Sequence, residues 1–196
     1  MGAELISIVG PPAAGKTTLA EILAAELPAD ILYEDYRSNP FLVDSYAGKA
    51  KAHLPAQLYY LMSRVKQLAQ SAWPASGLLV SDYGFCQDRI YAAAKLRGDE
   101  LHLYGRIADH VEGFVHEPNL MIHLDASEPT LLRRIAARGR DFERTITRGF
   151  LSSVREAIDK SCQAARCEIV RLDCDGTDLR SRQALSELLG KIREKL

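Results

Sequence analysis

The chain has 196 residues, 47% apolar and 26% charged, with a formal net charge of −1. A length of this order fits one domain of roughly 100–200 residues, large enough to bury about 70% of its unfolded surface without staples. The near-neutral balance excludes a global attraction to nucleic acid or to an anionic membrane surface, and no apolar run is long enough to span a bilayer.

Met1-Gly2 opens like a myristoylation acceptor, but position 6 is Ile rather than Ser or Thr. No basic region precedes an apolar one, so no secretory leader is expected. Glu4-Leu5-Ile6-Ser7-Ile8-Val9 is short, apolar and β-branched, which reads as a buried strand. Leu19, Ile22, Leu23 and Leu27 follow at helical spacing. Between strand and helix lies Gly10-Pro11-Pro12-Ala13-Ala14-Gly15-Lys16-Thr17, which fits G-x-x-x-x-G-K-[ST]. Strand, glycine loop and helix are the context in which that motif cradles phosphates. Pro11 and Pro12 have no N–H to donate, so Ala13, Ala14, Gly15, Lys16, Thr17 and Thr18 are expected to hold a nucleotide such as ATP. Lys16 is expected to reach the β- and γ-phosphates, and the Thr17 hydroxyl to bind Mg²⁺.

Ile31-Leu32-Tyr33 reads as a second strand ending at Glu34-Asp35, and Asn39-Pro40 breaks the pattern. Leu54, Leu58, Leu61, Val65 and Leu68 then mark a long helix, its stripe widened by Tyr59, Tyr60 and Met62. A helix apolar on more than one side suits either a subunit partner or deeper burial. Leu78-Leu79-Val80 is a third strand ending at Ser81-Asp82. Helical spacing resumes from Gln87 to Leu96, and again through Leu103, Ile107, Val111 and Phe114. A fourth strand, Leu120 to Leu124, ends at Asp125; Ser127 and Glu128-Pro129 then start a helix that Gly139 interrupts. A further helix is expected over roughly 144–165, a fifth strand from Glu168 to Leu172 ending at Asp173, and a last helix carrying Leu179, Leu185, Leu188, Leu189 and Ile192. Strands alternating with helices argue for an α/β fold with a parallel sheet flanked by helices.

Four strands end in acids, Glu34, Asp82, Asp125 and Asp173, at the sheet edge where open parallel sheets bind ligands. Asp82 is the preferred Mg²⁺ holder. Asp125 precedes a helix start, which favours a turn or capping role. Asp173 to Asp178 reads as a solvated turn. Arg134, Arg138, Arg140, Arg144 and Arg148 form a basic cluster, and Arg138-Gly139-Arg140 suits a lid that closes over transferring phosphate. His123 reads as a hydrogen-bonded core residue. Cys86, Cys162, Cys167 and Cys174 contain no C-x-x-C pair, so reduced thiols and a cytoplasmic location are expected.

With these pieces in this order, the chain resembles the deoxyribonucleoside kinase family from Glu4 to about Leu172. Tyr33-Glu34 is similar to that family's catalytic glutamate after strand two. Asn39-Pro40-Phe41-Leu42 with Tyr46 is similar to the segment whose tyrosine binds the sugar 3′-hydroxyl. Gln57 with Leu58-Tyr59-Tyr60-Leu61 resembles the helix whose glutamine pairs with the base. Arg138-Gly139-Arg140-Asp141-Phe142-Glu143 resembles the lid, with Glu143 joining Tyr46 at the 3′-hydroxyl. Arg64 and Asp88 match the Arg–Asp pair of members that accept purines or deoxycytidine. The resemblance implies a three-layer P-loop kinase fold with sheet order 2-3-1-4-5. It implies one kinase unit with a lid around 134–148, ATP with Mg²⁺, and a homodimer through long helices. It also implies catalytic roles for Glu34, Lys16, Arg138 and Arg140, and Arg134 beside ATP. One departure stands out: the family places an arginine after the acid that ends strand three, where this chain has Asp82-Tyr83-Gly84. Arg89 is the substitute if its helix turns it inward.

Two rivals remain. A nucleoside monophosphate kinase, thymidylate kinase-like, needs a cation to receive the acceptor's phosphate, whereas Glu34-Asp35 would repel one. A nucleotide-switched binding module would need a base reader, and no N-K-x-D string is present.

Overall fold

In a computed structural model, residues 2–178 and 180–196 are described. Met1 and Leu179, both part of the sequence reading, lie outside the described residues. Five parallel strands form one sheet in the order β2-β3-β1-β4-β5. They are β1 (Glu4–Val9), β2 (Asp30–Leu32), β3 (Leu78–Ser81), β4 (Leu120–Asp125) and β5 (Glu168–Asp173). The helices are α1 (Lys16–Glu26), α2 (Leu42–Tyr46), α3 (His53–Leu68), α4 (Gln87–Lys95), α5 (Gly98–Glu112), α6 (Glu128–Arg138), α7 (Arg148–Gln163) and α8 (Arg182–Lys195). Among the described residues no helix is long and apolar enough to cross a membrane.

β1 is central, and every residue after Glu4 is buried, as a strand covered on both faces requires. One core packs α1, α6 and α8 on one side of the sheet, with Leu19, Leu23, Leu131 and Leu188 against Ile6, Ile8 and Ile122. Another joins Val9 and Met121 to Val154, Ile158 and Cys162 of α7. A further one binds Leu61 of α3 to Ala92 of α4 and to Tyr104 and Ala108 of α5. All four cysteines are free thiols; burial pushes Cys162 up to about 12 and Cys174 up to about 11.

Several expectations shift. The second strand runs one residue earlier and stops before Tyr33, which is exposed; an edge strand pairing only with β3 has little to extend it. The buried stripe of α5 is Tyr104, Ala108 and Val111, so Leu103 and Phe114 face outward. The helix after the lid starts at Arg148 rather than 144, because residues 141–145 form a 3₁₀ turn. The Thr147 hydroxyl then caps α7 by accepting from the Phe150 N–H at 3.1 Å. Asp125 turns to Arg155 while Ser127 takes the N-cap position of α6: both Asp125 oxygens accept from that guanidinium, at 2.8 Å each, and this holds its carboxyl below the usual range. His123 is buried, with Nδ1 3.2 Å from Arg171 Nη1, while Nε2 finds no partner.

Candidate active site

The loop between β1 and α1 is shaped by what its backbone must pass. A Cβ on Gly10 would stand 2.5 Å from the Leu124 carbonyl oxygen, so only glycine lets β1 leave the sheet beside β4. Gly15 caps α1 with φ of 111°. Ala13 holds φ of 62°, a left-handed conformation that costs an L-residue about 1–2 kcal/mol. Such strain persists where surroundings over-determine a functional loop. Lys16 Nζ donates to the carbonyls of Gly10 at 2.9 Å and Pro11 at 3.1 Å. Burial pushes the Lys16 ammonium below its ordinary value, while Glu34 and Asp82 oppose that shift.

From this loop a connected line of polar contacts runs across the sheet edge. The Thr17 hydroxyl donates to Asp82 Oδ2 at 2.6 Å. Asp82 Oδ1 accepts from the Glu34 backbone N–H at 2.7 Å. Burial raises the Asp82 carboxyl, and its bonds to Thr17 and Glu34 pull the other way. The Glu34 carboxylate pairs with Arg64 Nη2, and Arg64 Nη1 stands 3.0 Å from Asp88 Oδ1. The Arg64 guanidinium also lies 5.0 Å from the Tyr83 ring centroid and 5.5 Å from that of Tyr60. Burial works against the Arg64 cation, but Asp88 and Glu34 outweigh it and raise its pKa. Burial pushes Asp88 up to about 6 in spite of Arg64.

A cavity of about 800 Å³ opens along this line. Ala13, Ala14, Gly15, Lys16, Thr17, Thr18 and Arg134 line its loop side. Arg134 bridges that side, donating to the Ala14 carbonyl at 3.3 Å and the Cys174 carbonyl at 2.7 Å. Gln57, Arg64 and Asp88 line the α3–α4 side, with Glu34 and Asp82 between. Over the top lie Tyr46, Arg138, Arg140 and Glu143. Arg138 grips Glu143 with Nη2 2.6 Å from Oε2 and 2.7 Å from Oε1; Arg140 stands 3.5 Å from Glu143 and 4.1 Å from the Tyr36 ring centroid. Phe142 packs 5.3 Å from Tyr46, and the Thr145 hydroxyl donates to the Tyr46 carbonyl at 2.9 Å, which docks the 3₁₀ turn against α2. Burial, then Glu143, raises the Tyr46 phenol well above its ordinary value.

Every site residue expected from the sequence lines this cavity except Gly10, which shapes the loop from behind. Arg144 does not: it pairs with Asp141 on the open surface. Arg148 lies outside it too. Arg89 turns away, pairing with Asp109 at 2.7 Å and Glu112 at 2.8 Å on α5. The segment after β5 is the solvated turn expected, with Asp173, Asp175 and Asp178 exposed, but it also reaches the cavity. Residues 174–178 and Arg180 line the loop side of the cavity, and Asp175 accepts from the Ser127 N–H and hydroxyl at 2.8 and 3.0 Å. That segment, with Tyr36 and Tyr91, is what the sequence reading missed. Its place after a strand of a parallel sheet was the available signal.

The described residues fit Mg²⁺. The donors beside the loop are a hydroxyl and one carboxylate, hard oxygens suited to an ion that keeps waters and shares substrate phosphates. Among the described residues no cluster of three or more His, Cys, Asp or Glu side chains could hold a metal by itself.

Comparison with known proteins agrees with this geometry. The deoxynucleoside kinase family profile matches residues 6–195. The deoxyguanosine kinase of Bacillus subtilis (strain 168) is 32% identical over 180 residues, covering 89% of this chain and 87% of the relative. The deoxyadenosine/deoxycytidine kinase of the same organism is 25% identical over 187 residues, covering 90% and 85%. A deoxyadenosine kinase structure from M. mycoides superposes with a TM-score of 0.83 at 21% identity, covering 97% of this chain and 99% of that one. A P-loop facing a carboxylate-lined nucleoside-sized cavity, on a 2-3-1-4-5 sheet, in a sequence matched end to end, leaves one conclusion: the chain belongs to the deoxynucleoside kinase family and phosphorylates a deoxynucleoside on its 5′-hydroxyl from a nucleotide donor.

Proposed function

We propose that the acceptor carries an exocyclic amino group, so that deoxyadenosine, deoxyguanosine or deoxycytidine is favoured over thymidine. One observation carries this. Arg64 Nη1 and Asp88 Oδ1 meet as an ion pair at 3.0 Å, but among the described residues Asp88 Oδ2 and Arg64 Nε find no partner, although both residues line the cavity. Buried polar atoms without partners are costly. An amino group would donate to Asp88 while a ring nitrogen or carbonyl oxygen accepts from Arg64; Gln57 offers a donor and an acceptor beside them. Thymine has no amino group and would leave Asp88 unmatched. A site built for such hydrogen bonds rejects an analogue lacking them by roughly 10⁴. The relatives named deoxyguanosine and deoxyadenosine kinases support the reading.

In the reaction, Glu34 accepts the 5′-hydroxyl proton as that oxygen bonds to the γ-phosphorus of ATP and the bond to the β-phosphate oxygen breaks. Lys16, Arg138 and Arg140 face the charge that spreads over the transferring group. Thr17 and Asp82 would hold Mg²⁺, which would supply positive charge to offset that of the phosphates. Tyr46 and Glu143 would hold the 3′-hydroxyl, and Arg134 with the 174–178 segment the donor. The chain acts as one kinase unit, its lid over 134–148, as a homodimer in the cytoplasm.

The test is product formation from ATP against a panel of deoxynucleosides and their monophosphates. Transfer to deoxyadenosine, deoxyguanosine or deoxycytidine, with thymidine slower by roughly 10⁴-fold, as expected for an unmatched polar site, supports the reading. Transfer to monophosphates alone selects the thymidylate kinase-like alternative, and efficient use of thymidine removes Arg64 and Asp88 from base recognition.

A further inference from the structure

We propose that Arg64 is the positioning residue for Glu34, and so carries recognition of the base into the reacting centre. The inference rests on the nucleoside kinase reading above and goes beyond Arg64 as a wall of the base pocket.

Glu34 lies in a stretch with no helix or strand, between the three-residue β2 and α2. Its backbone is fixed by Asp82, but that bond leaves the side chain free to turn. Among the described residues, only Arg64 bonds or pairs with its carboxylate. Arg64 itself is held by its surroundings, so that only a group entering the pocket shifts it. It is 3% exposed, projects from the C-terminal half of α3, and sits against the faces of Tyr60 and Tyr83. Position 83, directly after Asp82, supplies a ring for the guanidinium to rest on; its hydroxyl is occupied by Gln67 at 3.2 Å. Arg89 is held on α5, so no second arginine competes for Glu34 from that side.

One guanidinium therefore serves two acids, Glu34 toward the phosphate loop and Asp88 toward the base. A base that satisfies Asp88 and Arg64 locks the guanidinium and, through it, the carboxylate that takes the proton. A base that does not fit moves Arg64 and takes Glu34 with it. A displacement of about 1 Å at a reacting group can lower turnover on the order of 10²-fold. The wrong base is thus penalised in kcat as well as in KM.

The experiment uses purine 2′-deoxyriboside, which has no exocyclic group for Asp88 or Arg64 to read. Removing Arg64 alone would strand a buried carboxylate, so Asp88→Asn is compared with Asp88→Asn/Arg64→Met in the full chain. The expected result is a fall in kcat on the order of 10²-fold from the first variant to the second, with KM for ATP unchanged. In a Glu34→Gln background the same Arg64 substitution should change kcat little, because the two residues act as a unit. Arg64→Lys, alone and with Asp88→Asn, should restore part of the loss and serves if the methionine variant fails to fold, as judged by circular dichroism. The proposal is overturned if kcat on the bare purine survives, or if the loss is the same with Glu34 as with Gln at 34. Failure of the acceptor reading is separate: it appears in the unmutated enzyme as no turnover of any nucleoside.

Discussion

Asp88 shows how much a single side chain carries. Burial pushes its carboxyl up to about 6, with Arg64 at 3.0 Å holding it from going higher. The sign follows from which form is disfavoured. An acid whose folded pKa is raised favours the fold while protonated, and that contribution is lost as pH rises through the folded value. Near neutral pH the ionised Asp88 therefore weakens the fold, and it is available to accept from a base amino group. As pH falls through about 6 it protonates and that acceptor fades. KM for deoxyadenosine should rise across this window, while KM for purine 2′-deoxyriboside, which has no amino group, should stay level. Parallel curves would mean that Asp88 does not meet the base. The Arg64–Asp88 pair was legible through the resemblance alone, since two charges at helix positions otherwise read as surface residues. The outward turn of Arg89 was not, because its partners Asp109 and Glu112 lie about 20 residues away on another helix, and no local pattern encodes that meeting.

At the scale of elements, the phosphate loop is where sequence and structure agree most closely, since glycine spacing dictates backbone geometry directly. The reason for Gly10 is tertiary all the same: the obstacle is the Leu124 carbonyl at the end of β4. Gly10→Ala should therefore lower stability by about 1–3 kcal/mol, as overpacking does, and weaken ATP binding as the loop shifts. Gly190→Ala is the contrast. It lies on the exposed face of α8 with nothing within 4 Å of an added Cβ, and should raise stability by about 0.5–1 kcal/mol. Thermal melts of both, with ATP titration of the first, check the pair of signs; an equal or greater melting point for Gly10→Ala would refute the close approach. The lid was harder to read. Gly139, at φ of 67°, ends α6 where a break was expected, but the arginine run beyond it looked continuous with the next helix. Docking of Phe142 on Tyr46 and capping by Thr147 decide that start, and neither is visible in apolar periodicity. The segment after β5 is the turn expected, but its place beside the phosphate loop was hidden for a related reason, since its acids and glycine look like any turn until the sheet brings them there.

Across the whole molecule, alternation of strands and helices gave the α/β class, while the 2-3-1-4-5 order was carried by the resemblance alone. What neither supplied was which side of α5 faces out. The stripe expected inside runs through Leu103, Ile107, Val111 and Phe114; Val111 is buried and Ile107 packs against the core, but Tyr104 and Ala108 fill the places expected of Leu103 and Phe114. Leu103 and Phe114 are left 48% and 52% exposed, with His110 set edge-on against the Phe114 ring; Met62 of the adjoining α3 is 51% exposed. A helix with apolar side chains on two sides is buried on both when a second copy covers the outer one. Isologous pairing through α3 and α5 would bury these positions against their counterparts, and a stable interface of standard size needs about 800 Å² per partner. The expected outcome is a dimer by sedimentation equilibrium at micromolar concentration. Leu103→Lys with Phe114→Lys should shift the mass to that of one chain while retaining helical circular dichroism, since neither side chain supports the core of its own subunit. Because the cavity is lined within one chain, the monomeric variant should still turn over nucleoside. A single-chain mass for the unmutated protein across that range would dismiss the dimer, and a dimer that survives both lysines would move the interface to another face.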